Sequence, residues 1–362
     1  MIYNFGILGC GRVAEHYRYI LQEYSPLENL KIKACCDLDI EKAKKMAAAF
    51  EANYYNDLRQ MLSDESLDAV LVLTPSGNHY ENSRVILDSN CSVVVEKPIT
   101  LIPEHAYELR DIARSKNLNY TGIFQNRYNL AMQAAKKAVT EGRLGKIVSA
   151  SVRLRWCRHQ DYYEDDWHGR WSSDGGVISQ QAIHHIDAIN WLCGPITKVS
   201  AIMDKRVNKL EAEDTMVAVF VCSNGALGTI EATTAARPDD YEASVSLVGE
   251  EGMIEIGGIA LNEIVEWKFV NSVDSDELVK KESSEIVPNG YGVSHARILS
   301  DYINKIEHDK ELPIDSDEAV KAVELVHALY ASAEQNIWVE LDSNPRSSLL
   351  GKRLGKNNED RE

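Results

Sequence analysis

The chain has 362 residues and a formal net charge of −17, with 44% hydrophobic and 26% charged residues. This length exceeds what one hydrophobic core usually holds, so two domains are expected. The acidic charge argues against a nucleic-acid partner, because neutralising phosphates requires a basic surface. No apolar run reaches the length that crosses a membrane. None of the seven cysteines forms a Cys-x-x-Cys pair, so we expect reduced thiols in a cytoplasmic protein and no metal site.

A dinucleotide fingerprint follows the first predicted strand. The apolar run Asn4–Leu8 precedes a Gly-x-Gly-x-x-Ala sequence and a helical pattern. Gly9 permits the tight turn, Gly11 lets the backbone approach a pyrophosphate, and Ala14 lets helix and strand pack closely. A second predicted strand ends in Asp37, whose carboxylate is expected to bind the adenosine ribose of NAD and repel the 2′-phosphate of NADP. The competing interpretation is an ordinary solvated turn.

Strands and helices continue to alternate as far as residue 123. The predicted strands are Lys31–Cys36, Ala69–Leu73, Ser92–Val95 and Tyr120–Ile123, and the predicted helices are Glu41–Phe50, Tyr80–Asp88 and Pro103–Lys116. This alternation predicts a parallel sheet covered on both faces, in an α/β fold. Ligands meet the loops at the carboxyl ends of such strands, which here are Thr74–His79 and Glu96–Pro98. His79 could instead cap the helix that follows its loop.

Beyond Gly122 the pattern changes to short strands separated by Gly and Asn-Gly turns, which is typical of antiparallel hairpins. The predicted strands are Ile147–Trp156, Val199–Val207, Thr215–Cys222, Ala226–Thr234, Ala243–Val248, Met253–Ile256 and Ile264–Val270. The predicted helices are Asn129–Thr140, Gln180–Leu192, Ser294–Glu307 and Ser316–Asn336. We therefore expect three segments: an NAD-binding Rossmann domain over 1–122, an α+β substrate and oligomerisation domain over 123–343, and a disordered polar tail over 344–362.

The order of these motifs resembles the glucose–fructose oxidoreductase and inositol dehydrogenase (Gfo/Idh/MocA) family over roughly residues 1–340. The motifs that carry the resemblance are Gly9–Ala14, Thr74–His79, Glu96–Pro98 and the stretch that ends at His184. The resemblance implies a Rossmann domain followed by a large, mainly antiparallel open sheet. It also implies NAD as cofactor, with Lys97 and His184 as catalytic residues. An open sheet leaves one face uncovered, so we expect a homo-oligomer, either a dimer or a tetramer.

Four further motifs resemble one subgroup of that family, the WlbA/WbpB-type UDP-N-acetyl-2-amino-2-deoxyglucuronate dehydrogenases. They are Trp156–Tyr163, Trp167–Gly176, Glu211–Thr215, and Gly257-Gly258 leading to Glu266–Phe269. The resemblance implies NAD-dependent oxidation of the 3″-hydroxyl of UDP-N-acetyl-glucosaminuronic acid in surface-polysaccharide synthesis. The alternatives are a dehydrogenase of a free polyol or aldose and a non-catalytic dinucleotide sensor that regulates a partner. The presence of both Lys97 and His184 argues against the sensor.

Oxidation of a secondary alcohol releases a hydride to the nicotinamide and a proton to the protein. His184 suits the role of base and Lys97 that of a donor that stabilises the developing alkoxide, although the reverse assignment stays open. Gln180 stands where the family usually has Asp or Asn, four residues before His184. It could orient the imidazole but brings no charge. Asp187, one turn after His184, could instead bind substrate hydroxyls.

Arginine and aromatic side chains supply candidate contacts for the substrate. Arg153, Arg155 and Arg158 recur along one strand region, where they form either an anion site or a solvated sheet face. Aromatic residues, among them Tyr163 and Trp171, could stack on a sugar or belong to the core. The residues expected to bind the cofactor are Gly9, Gly11, Arg12, Val13, Asp37, Thr74, Pro75, Asn78, His79, Glu96, Lys97 and Gln125. Those expected to bind the substrate are Lys97, Arg155, Arg158, Tyr163, Trp171, Gln180 and His184.

Overall fold

The computed structural model describes residues 1–308, 310–312 and 314–352, and the chain forms two compact units. The first unit contains Met1–Gln125 together with Val293–Val320. The second contains Asn126–Gly292 together with the chain from Lys321 onward. The fold is α/β, with a parallel sheet in the first unit and a mostly antiparallel sheet in the second, which confirms the predicted fold class.

The helices and strands of the described residues have the following bounds. The strands are β1 Tyr3–Leu8, β2 Leu30–Cys36, β3 Asn53–Tyr55, β4 Ala69–Val72, β5 Ser92–Val95, β6 Tyr120–Gly122, β7 Ile147–Arg155, β8 Ile196–Asp204, β9 Thr215–Cys222, β10 Leu227–Thr233, β11 Glu242–Gly249, β12 Gly252–Gly257, β13 Glu263–Phe269 and β14 Val339–Glu340. The α-helices are α1 Arg12–Tyr19, α2 Ile40–Phe50, α3 Leu58–Asp64, α4 His79–Asp88, α5 Pro103–Ser115, α6 Leu130–Thr140, α7 Val177–Gln180, α8 Ile183–Cys193, α9 Ser275–Glu282, α10 His295–His308 and α11 Ser316–Gln335.

The sheet of the first unit has the strand order β3-β2-β1-β4-β5-β6, and its strands are parallel. Every residue of β4 and β5 is buried. These are the apolar strands that a sheet covered on both faces requires. The strand order reverses between β1 and β4, and the loops at that crevice carry the ligand in folds of this kind. The fingerprint loop after β1 and the Thr74 loop after β4 therefore lie at the expected ligand position.

The sheet of the second unit has the order β13-β12-β11-β7-β10-β9-β8-β14. Its neighbours are antiparallel except for β7 and β10, which pair in parallel. Along β7, Val152 and Leu154 are buried, whereas Arg153 and Arg155 lie on the opposite face, as the two-residue period predicts. Helix α8 packs against β7 and β11 and covers the inner face.

The outer face of this sheet carries exposed apolar side chains. They include Ile202, Val217, Leu227, Val248 and Met253. Exposed apolar side chains grouped on one sheet face are typical of a protein interface.

The structure differs from the three predicted segments in two respects. Helix α10 clusters with the first unit, because Tyr302 is fully buried and meets Phe5 edge-on with ring centroids 5.8 Å apart. The start of the polar tail is packed, since Ser347 donates its backbone N–H to His327 at 3.1 Å and Leu350 is only 2% exposed. The remainder of that tail, 353–362, lies outside the described residues.

Candidate active site

The two glycines of the fingerprint have different surroundings. Gly9 has φ of +92°, and a Cβ there would lie 2.8 Å from both the carbonyl carbon and the oxygen of Leu73. Only glycine fits such a turn. At Gly11, the N-cap residue before α1, no described atom beyond its chain neighbours would lie within 4 Å of an added Cβ. The open space at Gly11, beside the N-terminus of α1, fits a dinucleotide pyrophosphate.

The carboxylate of Asp37 is fixed next to this turn. Its Oδ2 accepts the backbone N–H of Cys10 at 2.7 Å, and its Oδ1 accepts that of Asp39 at 2.9 Å. These bonds hold the carboxylate beside the fingerprint loop, as a ribose-binding acid requires. Arg12, which is exposed, and Val13, which is half-buried, open α1 next to the same loop.

His79 joins two of the predicted ligand loops. Its Nδ1 lies 2.7 Å from the carbonyl oxygen of Pro98, and its Nε2 lies 2.8 Å from that of Thr74. The side chain is 1% exposed, and burial lowers its pKa although two carbonyls face the ring. The ring bonds loop carbonyls and no helix N–H, so the capping alternative is wrong. His79 instead ties the loop after β4 to the loop after β5.

The other predicted cofactor residues of the first unit occupy the same loops. Thr74 accepts a hydrogen bond from Asn82 at 3.0 Å through its hydroxyl oxygen. Pro75 and the exposed Asn78 bracket a short turn, and Gln125 is buried just after β6. The structure therefore gathers these positions at the carboxyl edge of one sheet.

Glu96 lies in a buried cluster behind Lys97 that sequence reasoning missed. Its Oε1 accepts the hydroxyl of Tyr17 at 2.9 Å, and its Oε2 accepts the backbone N–H of Lys97 at 3.2 Å. Burial raises the pKa of Glu96, against the opposing effects of the Lys97 charge and the Tyr17 hydroxyl. His295 is 3.7 Å from Glu96 Oε1, and burial lowers the pKa of His295 well below its usual value. The contact between them is therefore not an ion pair.

In the second unit, the predicted helix over Gln180–Leu192 is broken. Helix α7 ends at Gln180, and α8 begins at Ile183. The N–H of Ala182 donates to the carbonyl of Val177, five residues back, at 2.8 Å. One widened turn therefore separates Gln180 from His184, and the predicted regular helical turn between them is wrong. Such widened turns occur frequently at functional sites.

A buried network holds the start of α7. Glu213 accepts the backbone N–H of Ile178 at 3.0 Å and the hydroxyl of Tyr330 at 2.9 Å, both through Oε1. Tyr330 in turn accepts the N–H of Gly176 at 3.0 Å. A Cβ at Gly176 would lie 2.1 Å from the backbone oxygen of Glu213. Burial raises the pKa of Glu213 to about 7. This network positions the segment that leads to His184.

The neighbours of His184 on α8 belong to the core. His185 is 1% exposed and lies edge-on to Trp156, with ring centroids 6.1 Å apart. Burial lowers its pKa to about 3, so it is a neutral structural residue. Asp187 accepts two hydrogen bonds from the buried guanidinium of Arg127, at 2.7 and 2.6 Å. This pairing argues against the alternative in which Asp187 binds substrate hydroxyls. His184 itself is half-buried.

The structure contradicts the substrate role predicted for Arg155. Its guanidinium donates twice to Glu231, both at 2.7 Å, and once to Glu242 at 2.9 Å. These acceptors use its Nε and both terminal nitrogens, on the outer face of the sheet. Arg158 differs, because it stacks over the Trp156 ring with its Cζ 5.0 Å from the centroid.

Of the two predicted aromatic contacts, one is in the core. Trp171 is 4% exposed and packs edge-on against Tyr330, with centroids 5.1 Å apart. The substrate role predicted for Trp171 is therefore contradicted, since no ring face is open. Tyr163 is half-buried, and its hydroxyl lies 2.7 Å from that of Thr234.

Comparison with known proteins agrees with this arrangement. Residues 3–124 match the oxidoreductase family with an NAD-binding Rossmann fold, and residues 132–255 match the GFO/IDH/MocA C-terminal domain. The chain belongs to the GFO/IDH/MocA family. A solved WlbA dehydrogenase from Bordetella pertussis is 31% identical to this member, with a TM-score of 0.88 over 94% of this chain and 97% of that one. The WlbA dehydrogenase from Chromobacterium violaceum is 30% identical, with a TM-score of 0.86 over 94% and 96%.

Curated relatives in the family act on sugars and cyclitols. The D-glucoside 3-dehydrogenase of Escherichia coli is 26% identical over 92% of this chain and 96% of its own length. An inositol 2-dehydrogenase/D-chiro-inositol 3-dehydrogenase of Halalkalibacterium halodurans is 25% identical over 83% and 90%. This GFO/IDH/MocA member is thus an NAD-dependent oxidoreductase, and it belongs among the sugar dehydrogenases. The predicted cofactor, NAD, is confirmed.

Two features are absent from the described residues. Within 1–308, 310–312 and 314–352, no helix is long and apolar enough to cross a membrane. In the same residues, no group of three or more His, Cys, Asp or Glu side chains is placed to hold a metal ion.

Proposed function

We propose that this dehydrogenase oxidises the C3″ hydroxyl of a UDP-linked N-acetyl-glucosaminuronic acid, with NAD, in surface-polysaccharide synthesis. One observation carries the proposal: both WlbA dehydrogenases that are about 30% identical over nearly the whole chain were solved with NADH and UDP-GlcNAcA. A nucleotide remote from the reacting carbon would supply binding energy for orienting the sugar.

In this proposal, the fingerprint loop and Asp37 would hold NAD, which would supply the hydride acceptor. His184 accepts the hydroxyl proton, because histidine is the side chain that most often serves as a general base. Lys97 donates a hydrogen bond to the same oxygen and stabilises its developing charge. Glu96 holds the backbone of Lys97, and the Glu213–Tyr330 network holds the turn before His184. Gln180, which carries no charge, orients the imidazole or the sugar. Tyr163 and Arg158 contact the substrate.

A second candidate is a dehydrogenase of a free glycoside or polyol. The full-length similarity to the D-glucoside 3-dehydrogenase of Escherichia coli favours it. Both candidates share the same cofactor and the same pair, Lys97 and His184. They differ in whether a nucleotide is required.

The deciding experiment compares substrates under identical conditions. The purified protein with NAD is offered UDP-GlcNAcA, the free N-acetyl-glucosaminuronic acid, methyl glucoside and myo-inositol, each followed by mass spectrometry. Loss of two hydrogens from UDP-GlcNAcA, with far weaker reaction of the free acid, supports the proposal. If only a free glycoside or polyol reacts, the first proposal is wrong and the second candidate function is supported. A His184→Asn variant run in parallel controls for contaminating dehydrogenases. A 2-oxo acid is added in one series, so that NADH retained by the protein can be reoxidised.

We also propose a cytoplasmic homo-oligomer, dimer or tetramer, that assembles through the outer sheet face. The exposed apolar side chains on that face support the assembly. All seven cysteines are free thiols, which suits a reducing compartment. Light scattering on wild type and on Ile202→Lys tests the interface, and an unchanged mass in the variant would count against this face.

A further inference from the structure

Within the described residues of the second unit, one arginine, Arg237, forms no ion pair with an acidic side chain. Arg237 follows β10, and its Nη1 donates to the carbonyls of Ala236 at 2.7 Å and Thr234 at 3.3 Å and to the Cys157 Sγ at 3.7 Å. Its Nη2 donates to the carbonyl of Arg158 and to the side-chain oxygen of Asn208, both at 3.0 Å. These acceptors are neutral, and within the described part of the chain no carboxylate pairs with Arg237. The guanidinium is therefore held in place with its charge uncompensated.

Its neighbour Arg158 retains unused donors. Only Nη1 of Arg158 donates, to the carbonyl of Cys157 at 2.6 Å and to Asp240 at 3.1 Å. Among the described residues its Nε and Nη2 have no hydrogen-bond partner, and the side chain is 24% exposed. The guanidinium lies over Trp156 and, with its Cζ 5.7 Å from the ring centroid, over Tyr162. Among the described residues, Asp240 is the one carboxylate that pairs with either arginine, and it pairs with Arg158 alone, so the two arginines together keep a net positive charge.

The pair adjoins the segment that carries His184. Trp156, beneath Arg158, meets His185 edge-on. The side chain of Gln181 donates to the hydroxyl of Tyr162 at 3.4 Å. Both Gln181 and His185 lie within three residues of His184. Two separate contacts therefore connect the arginine pair to the region of the proposed base, whereas Arg155 lies on the opposite face of the sheet.

We propose that Arg158 and Arg237 bind the diphosphate of a nucleotide-linked substrate. The inference rests on the proposed function and names the site that would recognise the nucleotide part. The unused Nε and Nη2 donors of Arg158 match phosphate oxygens, and Arg237 adds a positive charge beside them. Because five neutral acceptors hold Arg237 in place, less side-chain entropy is lost when the anion binds. Arg237 thus takes the part that the sequence pattern assigned to Arg155.

The test measures UDP binding by calorimetry on the full-length protein with NADH present. Arg237→Gln and Arg158→Gln should each weaken UDP binding about 10-fold or more, because each removes charge-assisted hydrogen bonds. Arg153→Gln is the matched control, since Arg153 is half-exposed on the outer face and pairs with Glu242 at 3.6 Å. This control should bind UDP as the wild type does. Thermal melting of every variant separates lost binding from lost folding.

The outcomes distinguish this inference from the proposed function. If the wild type binds UDP and both arginine variants bind it equally well, the arginine site is wrong while the nucleotide-sugar substrate stands. If the wild type binds no UDP yet oxidises a free glycoside, the nucleotide-sugar proposal fails. Weakened UDP binding in Arg158→Gln with a normal melting curve supports the site even if Arg237→Gln folds poorly.

Discussion

Replacing the two glycines of the fingerprint one at a time separates cofactor binding from folding. Gly11→Ala places a methyl group where no described atom lies within 4 Å, on a backbone with φ of −88° that any residue adopts. The free energy of unfolding should therefore change by less than about 1 kcal/mol. The same methyl occupies the space expected for the pyrophosphate, and overpacking costs about 1–3 kcal/mol. NADH binding should weaken roughly 5- to 150-fold.

Gly9→Ala should have the opposite effect. Gly9 has a positive φ, which is strained for alanine, and the added methyl would also lie 2.8 Å from the backbone of Leu73. Strain of this kind costs about 1–3 kcal/mol, and the midpoint of thermal unfolding should fall by several degrees. Circular-dichroism melting and NADH fluorescence titration measure the two effects separately. If Gly11→Ala binds NADH as tightly as the wild type, the pyrophosphate does not lie at Gly11. If Gly9→Ala melts as the wild type does, the strained turn is not required.

Three further predictions follow from the same geometry. Asp37→Ser should reduce the preference for NAD over NADP, because the fixed carboxylate that repels the 2′-phosphate is removed. An unchanged ratio of the dissociation constants of NADP and NAD would contradict this. Lys97→Met and His184→Asn should each lower kcat by about 10²- to 10⁴-fold with near-normal NADH affinity, and full activity in either variant would remove that residue from the mechanism. Burial raises the pKa of Glu213 to about 7, so its stabilising contribution is complete below its usual value near 4.5 and is lost as pH rises through 7. Between pH 5 and pH 8, urea unfolding should show the wild type losing roughly 2 to 3 kcal/mol more stability than Glu213→Gln, and equal losses would contradict the buried carboxyl.

The features that local sequence rules determine were predictable. The fingerprint loop is set by glycines whose backbone requirements are local, and the buried strands β4 and β5 are continuous apolar runs. The alternation along β7 correctly placed Arg153 and Arg155 on one face. Those rules could not show that glutamates on β10 and β11 pair with Arg155, since the register between distant strands decides it.

Other features of the site depend on partners that are distant in sequence, and local sequence rules could not predict them. His295 meets Glu96 only because α10 packs with the first unit, although nearly 200 residues separate the two in sequence. Tyr17 reaches Glu96 from α1, 79 positions away in sequence. The sequence makes Trp171 a candidate for stacking on a sugar, whereas in the fold its ring packs against Tyr330. Arg237 stands before a proline and two aspartates, a context that predicts a solvated turn. Only the fold shows that neutral acceptors surround its guanidinium.

The most direct test of the proposed reaction follows the hydrogen on the reacting carbon. UDP-GlcNAcA carrying deuterium at C3″ is mixed with NAD and a stoichiometric amount of the protein, so that one turnover suffices even if NADH stays bound. The protein is then denatured, and the nicotinamide and the sugar are weighed by mass spectrometry. The proposal predicts NADH heavier by one mass unit and a UDP-sugar that has lost its deuterium. Unlabelled NADH, or a sugar that keeps its deuterium after oxidation, would show that the hydride leaves another carbon and would contradict the account.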